Sequence, residues 1–109
     1  MIIAVDFDGT LCLGQSPNTN RDEIPNLPLI QKCKEAKQKG HKLILWTCRG
    51  GSWLEEAIDF CEYFGLEFDA TNENISGIDY TRISCKAIAD LYVDDKAPGS
   101  IQYFMDMKL

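Results

Sequence analysis

A single α/β domain built on a parallel sheet is the fold that this sequence predicts, and three observations lead there. Short apolar runs with a β-branched bias alternate with stretches of helical periodicity. Three of those runs lead directly into reactive polar side chains. The length, 109 residues, suits one compact domain over 1–109 with a modest core.

The elements follow in chain order. Ile2 to Val5 is short, apolar and β-branched, as a buried parallel strand would be. Residues 9–26 contain two glycines, two prolines and many polar residues, and read as a loop with a small hairpin. Leu27 to Gln38 has helical spacing, with Leu27, Ile30, Cys33, Lys34 and Lys37 near one stripe and Gly40 suited to its C-terminal end. Lys42 to Trp46 is the second strand. Ser52 and Glu55 have the spacing of a capping box, which would open a helix burying Leu54, Ile58, Cys61 and Tyr63–Phe64 and ending at Gly65. Phe68 to Ala70 is a weak third strand, a helix is expected over Asp79 to Lys86, and Ile88 to Val93 is the fourth strand. After Pro98–Gly99, the spacing of Ile101, Phe104 and Met105 predicts a terminal helix.

Composition narrows the function. Hydrophobic residues make up 45% and charged residues 26%, the proportions of a soluble globular chain, and no apolar run reaches the ~18 residues of a membrane span. The N-terminus meets Asp6 after five residues, without the basic start or long apolar stretch of a signal peptide. The five cysteines, Cys12, Cys33, Cys48, Cys61 and Cys85, form no C-x-x-C pair, and fit reduced thiols in a cytoplasmic protein. A net charge of -6 repels phosphate backbones and argues against a dedicated nucleic-acid binder. It leaves room for a phosphorylated substrate, because local cations override the global field.

The strand ends carry the chemistry. The first strand runs into Asp6-Phe7-Asp8-Gly9-Thr10, the second into Thr47-Cys48-Arg49-Gly50, and the fourth into Asp94-Asp95. Ligands of open parallel sheets bind beyond the carboxyl ends of strands, where the strand order reverses. A sheet ordered 3-2-1-4 would reverse between its first and fourth strands and gather Asp6, Asp8, Asp94 and Asp95 there, with Thr47 beside them. Each residue alone could be capping a helix or starting a turn. Three strands all ending this way points instead to a site. Like charges ~4 Å apart repel by roughly 4 kcal/mol at an effective dielectric of 20, so four carboxylates in one crevice call for a cation. A hard cation that takes oxygen ligands and shares a phosphate is magnesium. The lone His41 argues against zinc or iron and reads as a surface residue.

Asp6-Phe7-Asp8-Gly9-Thr10 after an apolar strand resembles the first signature of the haloacid dehalogenase superfamily, Asp-x-Asp-x-Thr. Thr47 after Leu-Ile-Leu-Trp is similar to the second signature, Lys86 fits the third, and Asp94-Asp95 after Leu91-Tyr92-Val93 fits the fourth. The resemblance spans residue 1 to about residue 98 and implies a Rossmann-like three-layer sandwich. It also implies a magnesium-dependent phosphatase. Asp6 would form an aspartyl-phosphate, and Asp8 would protonate the leaving group and then activate water. Asp6, the Asp8 carbonyl and Asp94 would hold magnesium with support from Asp95, while Thr47 and Lys86 would hold the phosphoryl oxygens. Arg82 is the nearest basic rival to Lys86. Arg49 would either bind phosphate or pair with an acidic loop, and Cys48 reads as core filling or a fortuitous thiol.

Other readings are a phosphotransferase or mutase of the same superfamily, and a non-catalytic module keeping the fold as a binding platform. Carbon–halogen cleavage is disfavoured because dehalogenases of this type typically lack a carboxylate two residues after the nucleophile. Residues 11–26 and 71–81 are too short for the folded cap that many members carry. The substrate would then be either a large phosphorylated partner or a small molecule enclosed by a second copy in a homo-oligomer. Asn72-Glu73-Asn74 reads as a turn near the same crevice.

Overall fold

The computed structural model describes residues 1–13, 23–77 and 86–109. Its elements are β1 (Ile2–Val5), β2 (Cys12–Leu13), β3 (Ile24–Pro25), α1 (Leu27–Gln38), β4 (Lys42–Leu45), α2 (Gly51–Tyr63), β5 (Ala70–Thr71), β6 (Leu91–Val93) and α3 (Ser100–Asp106). The sequence-based expectation of an α/β fold on a parallel sheet holds. Four strands form one sheet in the order β5-β4-β1-β6, all parallel, and β2 and β3 make a two-residue antiparallel hairpin in the first loop.

The pleat sorts the side chains. Ile3 and Val5 of β1, Leu43 and Leu45 of β4 and Val93 of β6 face a core shared with Leu29, Ile30 and Cys33 of α1, Ala57 and Cys61 of α2 and Phe104 of α3. The alternate residues Ala4, Ile44 and Ala70 face the other way, packed by Trp46, Ile75, Ala89 and Tyr92. Among the described residues the helices therefore cover one face of the sheet, making two layers. The helix expected over Asp79 to Lys86, with Arg82 and Cys85, lies outside the described residues except for Lys86.

α1 has the predicted bounds. Asn26 caps it, accepting the Leu29 N–H at 3.4 Å, and donates through Nδ2 to the Thr10 carbonyl at 3.0 Å, tying the helix to the first loop. Its buried face is Leu29, Ile30, Cys33 and Ala36, and Leu27 is exposed. At about 100° per residue, Leu27 lies about 120° round the helix from Cys33, too far to share its stripe.

Three other expectations need correction. α2 starts at Gly51 with extended Gly50 as its cap, so Ser52 already lies inside the first turn and the capping box does not form; the Gly50 carbonyl instead accepts the Leu54 N–H at 3.2 Å. Tyr63 is 84% exposed because it sits about 200° round α2 from buried Cys61. The outer strands are displaced. β5 begins at Ala70 because Asp69 turns its carboxylate back to the Leu43 N–H at 2.8 Å, and β6 begins only at Leu91 because the Ile88 N–H is taken by the Asn74 side chain at 2.5 Å.

Cys12, Cys33, Cys48 and Cys61 are free thiols. Burial pushes Cys33 and Cys61 up to about 12, so both stay protonated and behave as small apolar groups. Among the described residues no helix is long and apolar enough to cross a membrane.

Candidate metal and acid–base centre

The site forms where β1 and β6 end side by side. Pairing continues one residue past each strand: the Asp6 N–H donates to the Val93 carbonyl at 2.9 Å, and the Trp46 N–H donates to the Val5 carbonyl at 2.9 Å. The chain then turns tightly through Phe7–Thr10, with the Thr10 and Cys12 N–H groups both on the Phe7 carbonyl at 3.1 and 3.0 Å. Gly9 is left-handed there (φ 81°), and a Cβ on it would lie 2.5 Å from Asp95 Oδ2. Only glycine lets the loop approach Asp95 so closely.

Asp6, Asp94 and Asp95 converge, with one carboxylate oxygen from each lying within 4.8 Å of the other two. Fully buried Thr10 joins them. Its hydroxyl donates to Asp6 Oδ2 at 2.9 Å and accepts the Asp95 N–H at 3.0 Å. Asp94 is fixed by Ser100, whose Oγ accepts the Asp94 N–H at 3.1 Å and donates to its carbonyl at 2.9 Å. Burial pushes the Asp6 carboxyl up to about 7; the Thr10 hydroxyl opposes the shift and the charge of Asp94 adds to it. The donors are all hard oxygens, and a divalent cation would relieve their repulsion, so the set fits such an ion.

Asp8 stands apart from these three. Arg49 grips it, Nε donating to Oδ2 at 2.9 Å and an NH2 nitrogen to Oδ1 at 2.8 Å. The guanidinium is almost fully buried against the Phe7 and Trp53 rings, 4.6 and 4.7 Å from their centroids, and also donates to the Trp53 carbonyl. Glu23 lies 3.8 Å away. Of the two roles expected for Arg49, the structure displays the ion pair with the acidic loop; three nitrogens of the guanidinium are already engaged.

Thr47 borders a hollow of about 420 Å³ together with Asp6, Trp46, Cys48, Asn72 and Asp94. Its oxygen accepts the Arg49 N–H at 3.2 Å, and its own N–H goes to Asn72 Oδ1 at 2.8 Å. Lys86 is exposed, with Nζ 5.9 Å above the centre of the Tyr92 ring. Tyr92 in turn borders a second hollow of about 190 Å³ that Asp6, Asp94 and Lys96 also line. The structure thus brings Asp6 and Asp94 together with Asp95 on one side and Thr47 on the other, holds Asp8 on Arg49, and puts Lys86 over the Tyr92 ring.

Sequence reasoning gave four residues no part in the site. Thr10 was visible only as the last letter of a signature, Lys96 only as a cation after two aspartates, and Trp46 only as the end of a strand. Asn72 read as a turn. Its positive φ of 52° is indeed turn geometry, but its amide also links Thr47 to the Arg49 carbonyl, to which Nδ2 donates at 3.2 Å.

No family model and no curated protein matches the chain. A solved structure does: that of a conserved protein from Bacteroides thetaiotaomicron, with 36% sequence identity and a TM-score of 0.80, the match covering 98% of this chain and 88% of that one. The chain belongs to the same family as this conserved Bacteroides protein.

Proposed function

We propose that the protein is a cytoplasmic, magnesium-dependent phosphatase of the haloacid dehalogenase type, hydrolysing phosphate monoesters through an aspartyl-phosphate on Asp6. The observation that carries this reading is the meeting of Asp6, Asp94 and Asp95 within 4.8 Å at the carboxyl ends of adjacent parallel strands. Asp6, Asp94 and Asp95, with the Asp8 carbonyl, would hold the magnesium, which when bound neutralises charge on the transferred phosphoryl group.

The remaining chemistry belongs to the chain. An Asp6 oxygen attacks phosphorus, the bond from phosphorus to the alcohol oxygen breaks, and Asp8 gives that oxygen its proton. A water then attacks the phosphorus of the aspartyl-phosphate and passes a proton to Asp8. The bond from Asp6 to phosphorus breaks, returning the carboxylate and releasing phosphate. Each Asp8 oxygen accepts one hydrogen bond from Arg49, which orients the carboxyl and leaves a second lone pair on each oxygen for the proton. Arg49 therefore acts as a positioning residue for Asp8. Thr47 donates to a phosphoryl oxygen from the rim of the hollow. The ammonium group comes from Lys86; Lys96, which lines the hollow beside Asp6 and Asp94, is the second candidate for that role.

The test is phosphate release from a panel of phosphate monoesters with magnesium, alongside Asp6→Asn, Lys86→Met and Lys96→Met. The reading expects magnesium-dependent release that Asp6→Asn abolishes while the circular dichroism spectrum is unchanged. A folded Asp6→Asn protein turning over at the wild-type rate would refute it.

A further inference from the structure

We infer that the alcohol half of the substrate carries a flat, unsaturated ring that packs against Trp46. The inference rests on the phosphatase reading only for placing the phosphate at Asp6.

Strand register positions the indole. Val5 pairs with Leu45 and with Val93, so the residues one step further along, Asp6, Trp46 and Asp94, end three neighbouring strands in a row. Val5, Leu45 and Val93 face the helix-side core, and alternation turns the next residue of each strand to the opposite face. Trp46 is packed on that face beside Ala4 and Ile44 and stays partly exposed. The two hollows of about 420 and 190 Å³ share Asp6, Trp46 and Asp94. The indole thus borders both, directly beside the proposed nucleophile. A phosphate held at Asp6 sends its alcohol past that ring whichever hollow it enters.

The polar groups nearby decide what kind of alcohol fits. A sugar needs donors and acceptors for each hydroxyl, and a site that offers few of them binds it poorly. The Asn72 amide in the larger hollow is already used at both ends, by the Thr47 N–H and the Arg49 carbonyl. The Thr47 oxygen already accepts from the Arg49 N–H. Beside the carboxylates, that wall offers the indole ring with its single N–H, the Thr47 methyl and the Cys48 thiol, so neutral polar groups are few. These surfaces favour an aromatic or otherwise planar group, which gains by stacking and needs no hydrogen bonds.

Three non-hydrolysable probes with the same phosphonate head separate the ring from the charge. Binding of methyl-, cyclohexyl- and phenylphosphonate to magnesium-loaded protein is measured by calorimetry, for wild type and for Trp46→Leu. The inference expects phenylphosphonate to bind about tenfold tighter than methylphosphonate, as for one stacked ring, with cyclohexylphosphonate between them. Trp46→Leu should remove most of the phenyl preference. Equal affinities for phenyl- and methylphosphonate in wild type would overturn it, and so would a phenyl preference that survives Trp46→Leu. Phenyl preference without hydrolysis of any ester would leave the ring subsite standing and remove the phosphatase reading. Hydrolysis without phenyl preference would do the reverse.

Discussion

Arg49 and Asp8 form a two-point ion pair at 2.9 and 2.8 Å, with the Arg49 side chain only 2% exposed and Asp8 29% exposed. A guanidinium so placed depends on its carboxylate. Asp8→Ala should cost about 3 kcal/mol in urea denaturation, the lower end for breaking a buried pair, because Asp8 retains some solvent. Asp8→Asn, which keeps one acceptor, should cost less. A loss under about 0.5 kcal/mol for Asp8→Ala, typical of a surface pair, would show that Arg49 is not held by Asp8.

Thr10 holds the cluster together with a single buried hydroxyl. Thr10→Val keeps the shape but strands the Asp95 N–H and removes the donor to Asp6, which should cost about 1–3 kcal/mol. Thr10→Ser keeps both bonds and should retain magnesium binding. If valine binds magnesium as well as serine does, Thr10 is merely filling space.

Gly9 is where the first loop touches Asp95. Alanine there would be strained at φ 81° and would press its Cβ to 2.5 Å from Asp95 Oδ2. Gly9→Ala should lower the melting temperature and weaken magnesium binding about tenfold, as other disturbances of supporting residues do. Unchanged affinity by calorimetry would mean that Asp95 contributes nothing to the ion site.

The raised Asp6 carboxyl has a definite signature in pH. Its ordinary value is 3.8 and its folded value about 7, so between those limits the folded chain keeps a proton that the unfolded chain has lost. Its contribution to stability without metal is therefore greatest below pH 4, falls as pH rises toward 7, and levels above it. Magnesium displaces that proton, so its affinity should rise over the same interval. Melting curves of EDTA-treated wild type and Asp6→Asn should show the gap between them changing from pH 4 to 7; a constant gap would contradict the shift.

The parallel α/β character was legible because short β-branched runs and helical spacing that stops before a glycine are local signals. α1 was readable to the residue at both ends. The long-range partners were less so. Arg49 and Asp8 are far apart in the chain, and the sequence offered Arg49 as readily to a phosphate as to an acidic loop. Only the closing of β1 against β4 brings that pair together. Ser52 and Glu55 had the local pattern of a cap, yet Gly50 took the position. Tyr63 looked like part of an apolar face because adjacent aromatic residues blur a helical period. Asp6, Asp94 and Asp95 were each visible as strand ends, but that Thr10 links Asp6 to Asp95 follows from the tight turn at Gly9 and from no spacing.

The central claim is covalent phosphorylation of Asp6. Magnesium-loaded protein is mixed with an activated aryl phosphate, quenched in acid within the first turnover, and reduced with borohydride, which converts an aspartyl-phosphate to homoserine. Peptide mass spectrometry then locates the altered residue. The account predicts homoserine at position 6 in wild type and none in Asp6→Asn. Turnover with an unaltered Asp6, or with the label on another residue, would contradict it.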